Sequence, residues 1–432
     1  MGDAPLPLTS SEVSRYSRQL LLPPPFGGPA ALRRLLSSHL LVVGAGGLAS
    51  PLLLYLAAAG VGAGEGSVTL VDGDRVDASN LHRQIAHTQA GADATPKQLK
   101  VDSAKERMRA LNPAVRVATI AEDLTPGNAA GLVGNFLAGV PPEAACAVVD
   151  CSDNPRTRYL LSDITALPLP RPLPLVSAAC VGTDSLVTVY NYRTPTHTGP
   201  CYRCVYPSPP PDNGCNSCSD AGVLGPVVGL AGTRQALETV KVLLGLDPAE
   251  HGVLSGTVAV FDACYGVGRD VRVRGEGGDY RKKTCQVCGE NPTIRTPEES
   301  AAVCAGYVGP TPPDDGSASS APPSGEEVTA AAAADMLGRA VLLDVREANQ
   351  FEMFHVEGAI NMPLSSLEAE LDKGGELGAE GEAGKLVLVM CRRGVASGKA
   401  VQILRGRGWS NAWSVKGGMR EWANSVGGVP WY

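Results

Sequence analysis

Aromatic residues are sparse, at 5% of 432 positions, and the formal net charge is −7. That balance argues against a nucleic-acid-binding face as the main business of the chain, while admitting a basic partner or simple solubility. The N-terminus, Met-Gly-Asp-Ala-Pro-Leu-Pro, has neither the charged n-region nor the apolar h-region of a secretory signal. Leu6 stands where a myristoylation pattern needs Ser or Thr. The one long stretch without Asp, Glu, Lys or Arg, residues 35–64, is interrupted by Gly44, Gly46, Gly47 and Ser50-Pro51. A buried strand, a glycine turn and a helix fit it better than a membrane span. A Walker phosphate loop, G-x-x-x-x-G-K-[ST], is absent. With no secretory signal, the 12 cysteines read as cytosolic thiols, metal ligands or catalytic groups, not as a disulfide framework.

The chain is too long for one ordinary core, so two domains with a linker are expected. Residues 305–326 are dense in Pro, Gly and Ser and have almost nothing to bury, which predicts a flexible linker between domains at 1–304 and 327–432. In the first domain, β-branched runs at 40–43, 67–71 and 146–150 alternate with helix-like segments at 51–59 and 97–111. Such alternation predicts an α/β fold with a mostly parallel sheet and crossover helices. The glycine-rich stretch 60–66 reads as a surface turn. The second domain repeats the scheme on a smaller scale, with strands expected at 340–344 and 386–390.

Gly44, Gly46 and Gly47, with Ala49 in the third glycine position, follow a strand and open a helix, as a dinucleotide-type G-x-G-x-x-G/A loop requires. Asp72 or Asp74, at the end of the next strand, can reach a ribose hydroxyl. An NAD-dependent dehydrogenase is the first reading of such a loop. The residues that follow, SNLHRQ at 79–84, Lys97 and DCSDN at 150–154, favour another. Cations and an Asp-Asn pair near one glycine loop suit a triphosphate and its metal ion better than a hydride carrier.

RYSRQ at 15–19, VGAGG at 43–47, the SNLHRQ and DCSDN segments and GPCYRC at 199–204 together resemble the MoeB/ThiF adenylyltransferases, relatives of ubiquitin-activating enzymes. The resemblance spans roughly residues 10–290, and several independent motifs in order make it far more specific than one glycine loop. It implies a Rossmann-like adenylation domain that activates the C-terminal glycine of a ubiquitin-like sulfur carrier. It also implies an ATP site built from Gly44, Gly46, Gly47, Asp72, Ser79, Asn80, Leu81, His82, Arg83, Lys97, Asp153 and Asn154. In that scheme Asp72 holds the ribose and Mg²⁺ lies near Asp153. Arg18, Arg83 and Lys97 neutralise phosphate charge, with Lys100 the close rival of Lys97 and Arg18 reaching across a homodimer interface.

Three CxxC pairs, Cys201/Cys204, Cys215/Cys218 and Cys285/Cys288, offer more ligands than one tetrahedral zinc can use. Spacing alone favours the first two pairs as a zinc ribbon. The resemblance instead implies a structural Zn²⁺ on Cys201, Cys204, Cys285 and Cys288. It leaves Cys218 as a cysteine that bonds transiently to the carrier, as a thioester or mixed disulfide, with Cys215 able to substitute for it or inert.

Beyond the linker, Cys391 follows the apolar run 386–390 and opens a short loop before a helix-like stretch. Loop N–H groups, a helix N-terminus, Arg392 and Arg393 all favour negative charge there, which marks a thiolate. A cysteine-dependent phosphatase would need Arg six residues after the cysteine, and Ser397 occupies that position. VLLDVRE at 341–347, FEMFHVEGAINMP at 351–363, Cys391 and GGMREW at 417–422 resemble a rhodanese domain, in which Cys391 carries a persulfide and Asp344 and Arg346 brace the loop.

The order adenylyltransferase, linker, rhodanese resembles the eukaryotic molybdopterin synthase sulfurylases, which also activate the ubiquitin-related modifier. The resemblance implies a bifunctional enzyme whose carriers end in Gly-Gly and whose sulfur comes from a cysteine desulfurase or another sulfane donor. Its products would feed molybdenum cofactor synthesis and tRNA wobble-uridine 2-thiolation, with no direct nucleic-acid or membrane binding and a cytosolic location. A carrier-docking or conjugation scaffold with a non-essential rhodanese module is the rival expectation.

Overall fold

The computed structural model describes residues 8–209, 222–304, 327–373 and 385–429 and divides into two compact units, Met1–Pro312 and Pro313–Tyr432. The expected linker, Cys215 and Cys218 lie outside the described residues.

The first unit is built on β1 (His39–Val43), β2 (Ser67–Val71), β3 (Val117–Ile120), β4 (Cys146–Asp150), β5 (Leu175–Val181) and β6 (Asp184–Tyr190). A small ribbon, β7 (Arg193–Thr194) with β8 (His197–Thr198), precedes β9 (Thr257–Asp262) and β10 (Val267–Arg272). The eight-stranded sheet runs β10-β9-β6-β5-β4-β1-β2-β3, parallel from β5 to β3 and antiparallel from β6 to β10. β1 is central and buried throughout, which is why its sequence, HLLVV, is continuously apolar after the histidine. Leu40 and Val42 enter one core, with the helices Ala49–Ala58, Lys100–Leu111 and Gly225–Leu243. Leu41 and Val43 enter the other, with Pro126–Ala138 and Pro155–Ala166. In helix Ala49–Ala58, Leu52, Leu53 and Leu56 are essentially fully buried, each contributing roughly 1.5–3 kcal/mol of apolar transfer.

Register positions the site. Val43 pairs with Val71 on one side and Asp150 on the other, so these strands end level. Gly44, Asp72 and Cys151 therefore emerge together at the carboxyl edge, where the order reverses around β1 and where open α/β sheets bind ligands.

Two expectations change. The segment 60–66 is not simply a surface turn: Val61 is fully buried, and Gly60 packs against the Tyr16 ring, so the start of the segment gives the N-terminal helices a seat. The helix expected from Lys97 begins at Lys100, because residues 98–100 bond in extended form to 74–76 through Val76 N to Gln98 O and Lys100 N to Asp74 O.

The second unit carries β11 (Glu327–Val328), β12 (Ala340–Asp344), β13 (Ile360–Asn361), β14 (Leu386–Met390) and β15 (Ala412–Val415), all parallel in the order β11-β15-β14-β12-β13. β14 is central, and Cys391 leaves its carboxyl end.

Candidate functional site

The glycine loop turns out of β1 at Gly44, whose φ is +94°. A Cβ there would lie 2.6 Å from the Cys151 carbonyl oxygen, so a side chain is excluded both by conformation and by the approach of the β4 loop. Asp72 ties the loop to β2: its Oδ2 accepts from Ala45 N–H at 2.7 Å and its Oδ1 from Asp74 N–H at 2.8 Å. Burial pushes the Asp72 carboxyl up, opposed by the nearby Lys100 ammonium and these two N–H groups. Gly47 lies against Val228 and the Arg83 backbone, and Gly46 faces the Gln84 side chain, which brings the segment 79–84 onto the loop.

Within that segment Asp77 accepts from Ser79 N–H at 3.0 Å and from its hydroxyl at 2.7 Å. His82 Nδ1 lies 3.0 Å from Ser79 O, and Arg83 donates to Asn80 Oδ1 at 2.9 Å. Leu81 closes the short 3₁₀ turn Ala78–Asn80. Lys97 pairs with Asp77 at 2.6 Å and holds its carboxyl down at about 2, together with Ser79. Its rival Lys100 pairs with Asp74 at 2.6 Å from a buried position. Both partners of the Lys97 pair are about half exposed, so it is worth about 0–1 kcal/mol and can readily exchange for an anionic ligand. Asp153 is exposed just before the helix Pro155–Ala166, and Asn154 caps that helix by accepting from Thr157 N–H at 2.9 Å. Asp150 is fully buried and accepts from the hydroxyls of Ser152 and Ser177 at 2.6 and 2.7 Å. Arg18 stands exposed on the short helix Ser17–Leu20.

Among the described residues the fold brings together the cysteines of the first and third CxxC pairs. Sγ atoms of Cys201, Cys204, Cys285 and Cys288 all lie within 4.8 Å of one another. Cys201 to Cys285 is 3.4 Å, Cys204 to Cys288 3.3 Å and Cys201 to Cys204 3.7 Å. A tetrahedral zinc with sulfur at about 2.3 Å separates its ligands by roughly 3.8 Å, so the cluster is of the right size for one ion. Hydrogen bonds from the other three thiols hold Cys285 well below the usual thiol range. Lys282 N–H donates to Cys204 Sγ at 3.3 Å, a further contact that favours thiolate.

In the second unit Cys391 is buried, with 3% exposure. Gly394 N–H donates to its Sγ at 3.1 Å and Ser397 Oγ lies 3.3 Å away. Ser397 in turn donates to Gly394 O at 3.0 Å and sits 2.9 Å from Ser414 Oγ on β15. The helix Val395–Gly406 begins inside this loop. Gly418, at φ +57°, passes so close to the Cys391 carbonyl that a Cβ would collide with it, and Met419 N–H donates to that carbonyl at 2.8 Å. Beneath the loop Asp344 and Arg346 form a fully buried pair at 2.7 Å, and Arg346 also donates to Phe354 O at 2.8 Å. Ser414 carried no signal in the sequence, and Ser397 served only to argue against a phosphatase. Ser414 reaches the sulfur only through Ser397, and their contact depends on β15 pairing with β14.

Residues 16–281 match the ThiF family and residues 329–425 the rhodanese-like domain. The fold and its sites thus define a ThiF-type nucleotide module joined to a rhodanese-like module. The chain is 39% identical over 434 residues to the adenylyltransferase and sulfurtransferase MOCS3-2 of Zea mays, covering 97% of this chain and 80% of the maize protein. It is 38% identical over 446 residues to the MOCS3 of Bos taurus, covering 99% and 90% of the two chains. This protein belongs to the MOCS3 family of bifunctional enzymes, adenylyltransferases that are also sulfurtransferases. Among solved structures, E. coli MccB with MccA-N7isoASN is 19% identical, with a TM-score of 0.48 over 64% of this chain and 75% of that one. No helix among the described residues is long and apolar enough to cross a membrane.

Proposed function

We propose that residues 1–304 adenylate the C-terminal glycine carboxylate of a ubiquitin-like sulfur carrier ending in Gly-Gly, and that residues 327–432, joined by the linker 305–326, deliver the sulfur that makes it a thiocarboxylate. The observation that carries this reading is the pairing, on one chain of this family, of a glycine loop braced by Asp72 and packed against the segment of Asn80 and Arg83, with Lys97 paired to Asp77 just before that segment, and a buried, loop-cradled thiol at Cys391. Asp72 binds the ribose while bracing the loop. Arg83, Lys97 and Arg18, the last contributed across a homodimer interface, offset the charge that builds up when a carboxylate attacks the α-phosphate. The loop glycines Gly44, Gly46 and Gly47 and the segment of Ser79, Asn80, Leu81 and His82 shape the rest of the pocket, with Asn154 beside it. Asp153 is assigned to Mg²⁺, which when bound assists departure of pyrophosphate.

The carboxylate displaces pyrophosphate from ATP to give an acyl adenylate. The terminal sulfur of the Cys391 persulfide then attacks the acyl carbon and AMP leaves. A thiol, for which Cys218 is the candidate, next attacks the Cys391 sulfur of the resulting acyl disulfide, releasing the thiocarboxylate and leaving a Cys218–Cys391 disulfide that a dithiol reductant opens before Cys391 is loaded again. Cys218 serves equally as an acyl acceptor in the alternative order of steps. Gly394 N–H and Ser397 favour the anionic sulfur, while Arg392 and Arg393 add positive charge in the loop. Cys201, Cys204, Cys285 and Cys288 hold one structural Zn²⁺ per subunit, which clips a late segment onto the module. A cysteine desulfurase or another sulfane donor loads Cys391 in the cytosol. The thiocarboxylated carriers serve molybdenum cofactor synthesis and tRNA 2-thiolation, without this chain binding nucleic acid.

The test is mass spectrometry of candidate carriers after incubation with ATP, Mg²⁺ and thiosulfate. Exchange of one carrier oxygen for sulfur, abolished by Cys391→Ala while adenylation persists, is the expected result. Undiminished thiocarboxylate with Cys391→Ala would leave the second module a docking scaffold.

A further inference from the structure

A buried imidazole with no part in the site as described sits where several of its pieces meet. His87 is 6% exposed. Its Nε2 lies 2.8 Å from the carbonyl oxygen of Ala45, the residue between Gly44 and Gly46. Its Nδ1 lies 3.0 Å from Ser103 Oγ on the helix Lys100–Leu111. Its backbone N–H donates to Gln84 O at 3.0 Å, at the end of the segment that carries Asn80 and Arg83. Burial holds the ring below its ordinary pKa, so it carries a single N–H at neutral pH. A carbonyl oxygen can only accept, which places that hydrogen on Nε2 and leaves Nδ1 to accept from the Ser103 hydroxyl.

Asp72 accepts from the N–H of the same residue, Ala45, at 2.7 Å. Ala45 is thus held at both its N–H and its C=O, and the peptide planes on either side of it are fixed. In a trans peptide the C=O and the following N–H point in opposite directions. Drawing the Ala45 carbonyl toward His87 therefore aims the Gly46 N–H away from it, as a phosphate-binding loop needs.

We propose that His87 is a positioning residue for the nucleotide: it locks the Ala45–Gly46 peptide in its phosphate-binding orientation and couples the glycine loop to the segment bearing Asn80 and Arg83. The inference rests on the adenylation reading above and adds to it a residue that touches neither phosphate nor carrier.

Three substitutions in the full chain separate its contacts. His87→Gln places an amide N–H near the Nε2 position and keeps the Ala45 bond. His87→Asn reaches only toward Ser103, and His87→Phe keeps a ring but neither bond. ATP affinity is measured by calorimetry without carrier, and KM values by carrier-dependent pyrophosphate exchange, with unfolding curves as the check on folding. His87→Asn and His87→Phe should weaken ATP about tenfold, the effect of one buried hydrogen bond. KM for the carrier should stay within about twofold, and His87→Gln should bind ATP within about threefold of the parent. Unchanged ATP affinity in His87→Asn, equal losses in the Gln and Asn proteins, or a parallel rise in carrier KM would overturn the role. Should His87→Phe not fold, the Gln and Asn pair decides alone. ATP binding without carrier-dependent exchange in the parent chain would instead strike the adenylation reading, leaving the calorimetric comparison to judge His87.

Discussion

Ser397 makes the most local of the arguments about sulfur. Its single hydroxyl hydrogen has two acceptors within reach, Gly394 O at 3.0 Å and Cys391 Sγ at 3.3 Å, while Ser414 lies 2.9 Å away and can donate to its oxygen. A neutral thiol leaves that hydrogen on the carbonyl, whereas a thiolate or persulfide anion attracts it to sulfur. A hydrogen bond made preferentially to the charged form stabilises that form by roughly 1.5–3 kcal/mol. Ser397→Ala should therefore lower sulfur transfer from thiosulfate about tenfold, the effect of one hydrogen bond to a charged group. Thiocyanate formation from thiosulfate and cyanide reads the rate, and Ser397→Thr should restore most of it. An unchanged rate would make the serine a packing residue.

At the scale of elements, the cysteine cluster joins the short helix Tyr202–Val205 to the turn at 285–288, far apart in the chain. A small apolar cluster including Val287 and Ile294 packs around it. Next to it the buried pair Arg203–Asp163 at 2.8 Å, with Ser300 donating to Asp163 at 2.6 Å, holds the helix Pro297–Cys304 down. That apolar cluster is small, so a metal held by the four cysteines would supply stability that packing does not. Replacing Cys285 by Ser should remove the zinc measured by atomic absorption and lower the unfolding midpoint on the order of 10 °C. Cys215→Ala should retain both. Loss of stoichiometric zinc from the Cys215→Ala protein would restore the ribbon pairing of the first two CxxC motifs.

Across the whole molecule, pH acts on the first unit through buried histidines. Burial is the leading cause that lowers the pKa values of His39, His87 and His197 from 6.5. Through these rings the unfolded chain takes up more protons than the folded one as pH falls through about 6.5, and the stability they contribute above that value is lost below it; Asp163, pushed up to about 6 by burial, opposes them over the same range. The unfolding midpoint should drop by a few degrees between pH 7.5 and 5.5, and His39→Gln should flatten that slope in calorimetric scans. A slope of the opposite sign would show the folded state to be the better proton acceptor. The same division between local and distant structure governs what could be read from the chain. Central strands buried on both faces write themselves as apolar runs, and strand, glycine turn and helix are contiguous, so β1 with its loop and β14 with Cys391 were legible in sequence. The pairing of Cys201 with Cys285 spans 84 residues. The contacts of His87 with Ala45 and of Ser414 with Ser397 likewise depend on which strands and helices become neighbours. Nothing in a linear pattern records those distances, because they arise only when the sheet order brings the strand ends level. The chemistry-bearing residue types were therefore set by the sequence, while tertiary packing alone decided which side chains hold them in position.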